Sequence, residues 1–156
     1  MTSPASPAPS PAAEPDTIDA VQRALTTEHA VVWALQLVTA FLPADLGAPL
    51  AEATTTHRAR RDTVGRLLRD RGAVPVTQEP AYTSPNPVTD QASALALLVT
   101  AESDAAAVWR SVVERTDDTA VRALALDSLV DAAVRATRWR RAAGAGRLTV
   151  PFPGAP

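Results

Sequence analysis

The 156-residue chain carries 15 basic and 17 acidic residues, for a formal net charge of −2, and it has no cysteine. Disulfides, thiol nucleophiles, zinc knuckles and iron–sulfur clusters are thereby excluded, and any metal site must draw on His, Asp or Glu. The mild negative charge argues against a dedicated nucleic-acid binder, which carries a basic excess. All the basic residues are arginine, and the length suits one domain with a sizeable core. With three Trp, two Phe and one Tyr, alanine and leucine must do most of the packing, which favours closely spaced helices over a sheet.

Residues 1–15 are Pro, Ala and Ser with one acid, a composition that reads as a disordered solubilising tail ahead of a domain over 16–156. Asp16 or Thr17 then offers an amino cap, and helical periodicity runs through Ile18, Val21, Leu25, Glu28, Val32, Leu35, Thr39 and Leu42 until Pro43 stops it. A short connector leads to a second helix from about Ala48. Its inner seam reads Leu50, Ala53, His57, Arg61, Val64 and Leu68, with Gly72 as the stop. From Gly72 to Asp90 the prolines at 75, 80, 85 and 87 rule out helix interior and central strand. Extended, this loop reaches roughly 60 Å, whereas a 26-residue helix is about 39 Å long, so the loop can run the length of a bundle. A third helix, capped by Thr89 or Asp90, carries the seam Leu95, Leu98, Glu102, Ala105, Trp109 and Val112. Asp117 and Asp118 make the next turn. The fourth helix runs to about Ala142, with its apolar face assigned to Ala123, Leu126, Leu129, Val130, Ala133 and Thr137. The apolar segment 148–153 is expected to pack across one end of the bundle.

An ionisable residue occupies the centre of each of the first three seams: Glu28, His57 and Glu102. Burial of such groups is costly unless they are paired, protonated or metal-bound. Pairing the first hairpin about Ala44 sets Glu28 and His57 within one helical turn in height, about 5 Å. Pairing the second about Asp117 puts Glu102 level with Asp131. One inward ligand per helix, on two antiparallel hairpins joined by a long crossover loop, is the plan of ferritin-like carboxylate bundles. The expected fold is therefore all-α, a ferritin-like four-helix bundle.

Several segments carry a family resemblance: Thr27-Glu28-His29-Ala30, the run from His57 to Asp62, the loop from Glu79 to Pro85, the run from Asp131 to Arg140, and the closing Phe152-Pro153-Gly154. On these the chain resembles the actinobacterial ferritin-like domain family of unknown function. That resemblance implies the bundle and implies no particular activity. A di-iron bundle takes a Glu from each of two helices and Glu-x-x-His from the other two. Glu28, Glu102 and His57 match three of those ligands, whereas Thr54 stands where a Glu would precede His57, and Val130 or Val134 follows the aspartates where His is expected.

Two readings of the central layer follow. In one, Glu28, His57, Glu102 and Asp131 hold a single metal ion, Fe or Mn, with oxygen or peroxide redox chemistry in prospect. In the other, the layer is a structural ion cluster in which Arg61 bridges the carboxylates and Asp127 lies at its edge. The bundle would then be non-catalytic, acting through its Ala-rich outer faces as a homodimer or partner-binding module. His29 reads as a rim residue and Tyr82 as a loop packing anchor. The Arg-rich runs 58–71 and 135–147 read as solvated helix ends, because acids are interleaved. The best apolar helix is interrupted by Glu28, so no membrane span is expected, no nucleic acid is expected, and the chain reads as cytoplasmic. The sequence names no substrate and leaves enzyme status open.

Overall fold

The structure, a computed structural model, describes residues 13–155. Among them the regular structure is four α-helices, α1 (Ala13–Leu37), α2 (Gly47–Asp70), α3 (Gln91–Arg115) and α4 (Thr119–Ala142), with two short 3-10 turns between α1 and α2. The tail expected over 1–15 lies outside the described residues up to position 12, but its last three residues belong to α1. Pro15 is tolerated there because a first-turn N–H has no intrahelical partner to lose. Asp16 and Thr17 accordingly lie inside the helix and cap nothing. Instead the Thr17 hydroxyl donates to the Arg115 carbonyl at 3.2 Å, tying the start of α1 to the end of α3.

That contact also sets direction. Arg71, just beyond α2, pairs with Glu14 at the start of α1 and with Asp118 at the cap of α4. The ends of α2 and α3 and the starts of α1 and α4 therefore share one end of the bundle. Helices α1 and α2 form one antiparallel hairpin and α3 and α4 the other, with α2 and α3 parallel, as the long connection requires. The bundle packs α3 against α1 and α4, and α1 against α2.

The helix ends follow local chemistry. Gly72 takes φ +73°, and Ala73 N–H reaches back to the Leu68 carbonyl at 2.9 Å, closing α2 in the left-handed turn that glycine enters without a Cβ clash. Asp90 caps α3 reciprocally with Ser93, and Asp118 caps α4 by accepting from Ala120 and Val121 N–H. The α1 helix gives way at Leu37 to a 3-10 turn over Val38–Phe41 ahead of Pro43. There Val38, not Thr39, supplies the buried residue.

The loop from Gly72 to Asp90 climbs α1. The Gln22 amide clamps it at both atoms, donating to the Val74 carbonyl at 2.7 Å and accepting from Val76 N–H at 2.9 Å. Further up, the Tyr82 ring lies on Trp33 with centroids 5.6 Å apart, and its hydroxyl accepts from Glu79 N–H. The tyrosine anchors the loop by packing, as expected of it.

Three expectations need correction. The buried stripe of α4 is Val121, Ala125, Ser128, Ala132, Ala136 and Trp139, whereas Ala123, Leu126 and Val130 face outward. The reason is closeness: α3 and α4 are the most closely packed pair of helices, and between Val121 and Trp139 the buried stripe of α4 is Ala125, Ser128, Ala132 and Ala136, small residues that let the axes approach where leucine and valine would hold them apart. Second, the terminal segment does not cross one end of the bundle. It returns along the groove between α3 and α4, where Gly154 at φ +77° comes so near that a Cβ would sit 2.6 Å from the Ala106 carbonyl oxygen. Third, α3 is long and apolar enough by composition to cross a membrane. Its apolar residues here form the bundle core, with Glu102 buried among them.

Candidate functional site: a buried ion network across all four helices

The seam positions at mid-height deliver their ionisable groups to the centre of the core. Glu28 and His57 are 0% exposed and Glu102 is 1% exposed. The Glu28 Oε2 accepts from His57 Nδ1 at 2.7 Å, and Glu102 Oε1 accepts from His57 Nε2 at 3.3 Å. Both ring nitrogens face a carboxylate oxygen, the arrangement that favours the imidazolium, which donates from each. Burial alone would push the His57 pKa down, but the hydrogen bonds to Glu102 and Glu28 and their negative charge outweigh it and raise the value to about 9.

Glu28 is the best-satisfied member. Its second oxygen accepts from Trp109 Nε1 at 2.7 Å and lies 3.5 Å from Arg60 Nη1. Desolvation would raise its pKa. The His57 hydrogen bond and charge, the Arg60 charge and the Trp109 donor reverse that and hold the carboxyl below its ordinary value. Glu102 is less well served, for its Oε2 is buried without a hydrogen-bond partner.

From Glu28 the network continues outward between α2 and α4. Arg60 Nη2 donates to Asp131 Oδ2 at 2.5 Å, and Arg135 Nη1 donates to the same oxygen at 2.6 Å. Burial pushes Asp131 upward, and the two guanidinium groups more than offset it, so its pKa is lowered. Three acidic side chains (Glu28, Glu102, Asp131) and three basic ones (His57, Arg60, Arg135) thus balance formally. Every helix contributes at least one of the six. The series runs from a dry centre to Asp131, whose side chain is 36% exposed.

The sequence expectations map unevenly onto this site. Glu28, His57 and Glu102 meet as expected. Asp131 joins them through Arg60 instead of touching His57. Arg61, expected as the bridging guanidinium, pairs outward with its neighbour Asp62 at 2.8 Å, and Arg60 takes the inward position. Three and four residues past His57 both lie on its side of the helix, and α2 is rotated so that Arg60 is buried with Val64 and Leu68 while Arg61 faces α1 and solvent. Asp127 is exposed on α4 and stands apart from the cluster. His29 is half-buried, its Nε2 at 3.3 Å from the Val76 carbonyl. Trp109 and Arg135 are members that sequence reasoning missed. Trp109 was legible as a core residue but its indole donor was not assigned an acceptor, and Arg135 stands one turn after Asp131 on α4.

As a ligand set for Fe or Mn the three central residues fit poorly. A metal takes one lone pair from one imidazole nitrogen of a neutral ring, whereas Glu28 and Glu102 approach His57 at its two different nitrogens, so the three side chains do not converge on one point. Among the described residues no group of three or more His, Cys, Asp or Glu side chains is arranged to hold an ion.

Comparison with known proteins places the chain among relatives without assigned roles. Residues 20–156 match the family described as Domain of unknown function (DUF4439), a span that contains every member of the network. The chain is similar to a conserved hypothetical protein, rv2844, from Mycobacterium tuberculosis, whose crystal structure superposes with a TM-score of 0.80 at 34% identity, covering 86% of this chain and 99% of that one. No curated protein matches.

Proposed function

The chain therefore belongs to the DUF4439 family, and on that premise we propose that it is a ferritin-like bundle whose centre is closed by an ion network and whose role is non-catalytic, exercised at its surface. The observation that carries this reading is the double engagement of His57, with a carboxylate on each ring nitrogen. A metal would have to displace a proton from that ring and break one of the two contacts. Arg60 meanwhile supplies positive charge beside Glu28. The ferritin-like assignment is supported by the paired hairpins, the long crossover and the mid-height placement of Glu28, His57 and Glu102.

The test is the metal content of protein purified without a histidine tag, by elemental mass spectrometry, together with thermal unfolding after adding Fe(II), Mn(II) or Zn(II). Substoichiometric metal and an unchanged melting temperature are expected. Near-stoichiometric metal with a raised melting temperature, lost in a Glu28→Ala/Glu102→Ala variant, would instead establish a mononuclear site and justify oxidase and peroxide assays.

For the surface role, the occupant is a second copy of the chain. Leu126, Val130 and Val134 are 51%, 55% and 44% exposed and stand at successive turns of α4, and Val130, Val134 and Val150 line the α3–α4 groove. Phe152 is 80% exposed and holds a positive φ of 53°, uncommon for a residue other than glycine. A straight apolar ridge is suited to meeting itself across a two-fold axis, ridge into groove. Light scattering over a range of concentrations should show a mass rising toward the dimer, and Val130→Glu should hold the protein monomeric. A wild-type mass that stays monomeric at high micromolar concentration rejects the homodimer.

A further inference from the structure

A cavity of about 560 Å³ opens between α1, the last three turns of α2 and the start of the crossover loop. Its volume lies within the range of small-molecule sites, roughly 300–1,000 Å³. Arg61, Arg66 and Arg69 line it from α2, His29 and Leu25 from α1, and Pro75 to Gln78 from the loop. Against three guanidinium groups it holds one carboxylate, Asp62, which is already paired with Arg61. Arg66 donates to the Thr63 hydroxyl, and among the described residues neither Arg66 nor Arg69 makes an ion pair.

Two features distinguish this cavity from a chance gathering of surface arginines. Gly65 stands inside α2, where glycine costs roughly 1 kcal/mol relative to alanine, and the Arg69 guanidinium lies over the bare position, with Nη1 3.6 Å from where a Cβ would be. Arg69 is therefore exposed but folded back along the helix over Gly65. The loop wall is also held in place: Gln22 fixes Val74 and Val76 through two backbone hydrogen bonds, and His29 Nε2 faces the Val76 carbonyl. His29 Nδ1 is buried with no partner. A favourable dipole at the end of α2 explains positive charge there. It does not explain the imidazole and the clamped loop around the same space.

We propose that this cavity binds a phosphate monoester, with the phosphate held by Arg66 and Arg69 and the organic group against Leu25, Pro75 and Val76. Guanidinium forks match the oxygens of a tetrahedral dianion, and the apolar wall gives an attached carbon group somewhere to lie. The site is independent of the buried ion network, so failure of either reading leaves the other standing.

The test uses the full chain at pH 7, titrated calorimetrically with inorganic phosphate, with glycerol phosphate, and with vesicles containing phosphatidic acid, each against sodium chloride of equal ionic strength. Saturable binding that falls at least tenfold in Arg66→Gln/Arg69→Gln, whose circular dichroism and melting temperature match wild type, is the expected result. Binding of the free phosphates assigns a soluble ligand, and binding of the vesicles alone assigns a lipid headgroup. Heats no larger than those of chloride in all three arms, or affinity that the double variant leaves within twofold, overturns the proposal.

Discussion

Replacing His57 by leucine is expected to lower the stability of the folded chain by about 3–5 kcal/mol, the cost of breaking a buried ion pair from one side. Glu28 and Glu102 would then share a dry core with Arg60 as the one remaining cation beside them and the Trp109 indole still donating to Glu28, and each carboxylate would have to protonate or unfold the bundle to regain water. Smaller losses are expected for the acids, and in a definite order. Glu28→Gln disturbs contacts with His57, Trp109 and Arg60, whereas Glu102→Gln disturbs one contact of 3.3 Å and leaves an oxygen that already lacked a partner. A triple variant with Leu at 57 and Met at 28 and 102 should recover much of the loss, because an apolar set of similar volume removes the charges together. Chemical denaturation at pH 6.5 measures all four. A His57→Leu loss below about 1 kcal/mol would mean that the layer is not the tightly coupled network described above.

The second large effect is a dependence of stability on alkaline pH. His57 has an ordinary pKa near 6.5 and a folded value of about 9, so folding favours its protonated form. The resulting stabilisation is complete below pH 6.5 and is lost as pH rises through 9, amounting to about 3 kcal/mol over that window. Glu28 and Asp131 have the opposite sign. Their pKa values are lowered on folding, so their contribution is present above the ordinary carboxylate range and is lost as pH falls through the lowered values. Maximal stability is therefore expected between about pH 5 and 6.5. Denaturation curves at pH 6, 7.5 and 9 should show the decline in wild type and its absence in the triple variant, which removes the histidine and both buried carboxylates. Nuclear magnetic resonance of the ring should find both nitrogens protonated at pH 7.5. A neutral ring at that pH, or a stability flat from pH 6 to 9, contradicts the imidazolium and reopens His57 as a metal ligand.

The two hairpins, the crossover and the central trio were legible in the chain for a definite reason. Each of α1, α2 and α3 has a single dominant apolar stripe, and an ionisable residue in the middle of such a stripe marks itself by position. Height along a helix follows from counting residues, so the sequence alone places Glu28, His57 and Glu102 in one layer. The α4 helix defeated the same method because it carries two stripes. One is small, through Ala125, Ala132 and Ala136, and one is bulky, through Leu126, Val130 and Val134. Hydrophobicity ranks the bulky stripe first, while burial depends on how closely α3 approaches.

The choice between Arg60 and Arg61 lies beyond periodicity for a related reason. Both are compatible with the inner side of α2, and the rotation that brings Arg60 to Asp131 and sends Arg61 to Asp62 is set by packing against α1 and α4 together. By itself the sequence determined that two helical hairpins must bury acids and a histidine at mid-height, because periodicity and desolvation are properties of single helices and single groups. Only the tertiary structure decided which face of α4 stays exposed, which arginine completes the charge balance, and that His57 offers a hydrogen to each of two carboxylates, because those depend on interhelical distance and rotation.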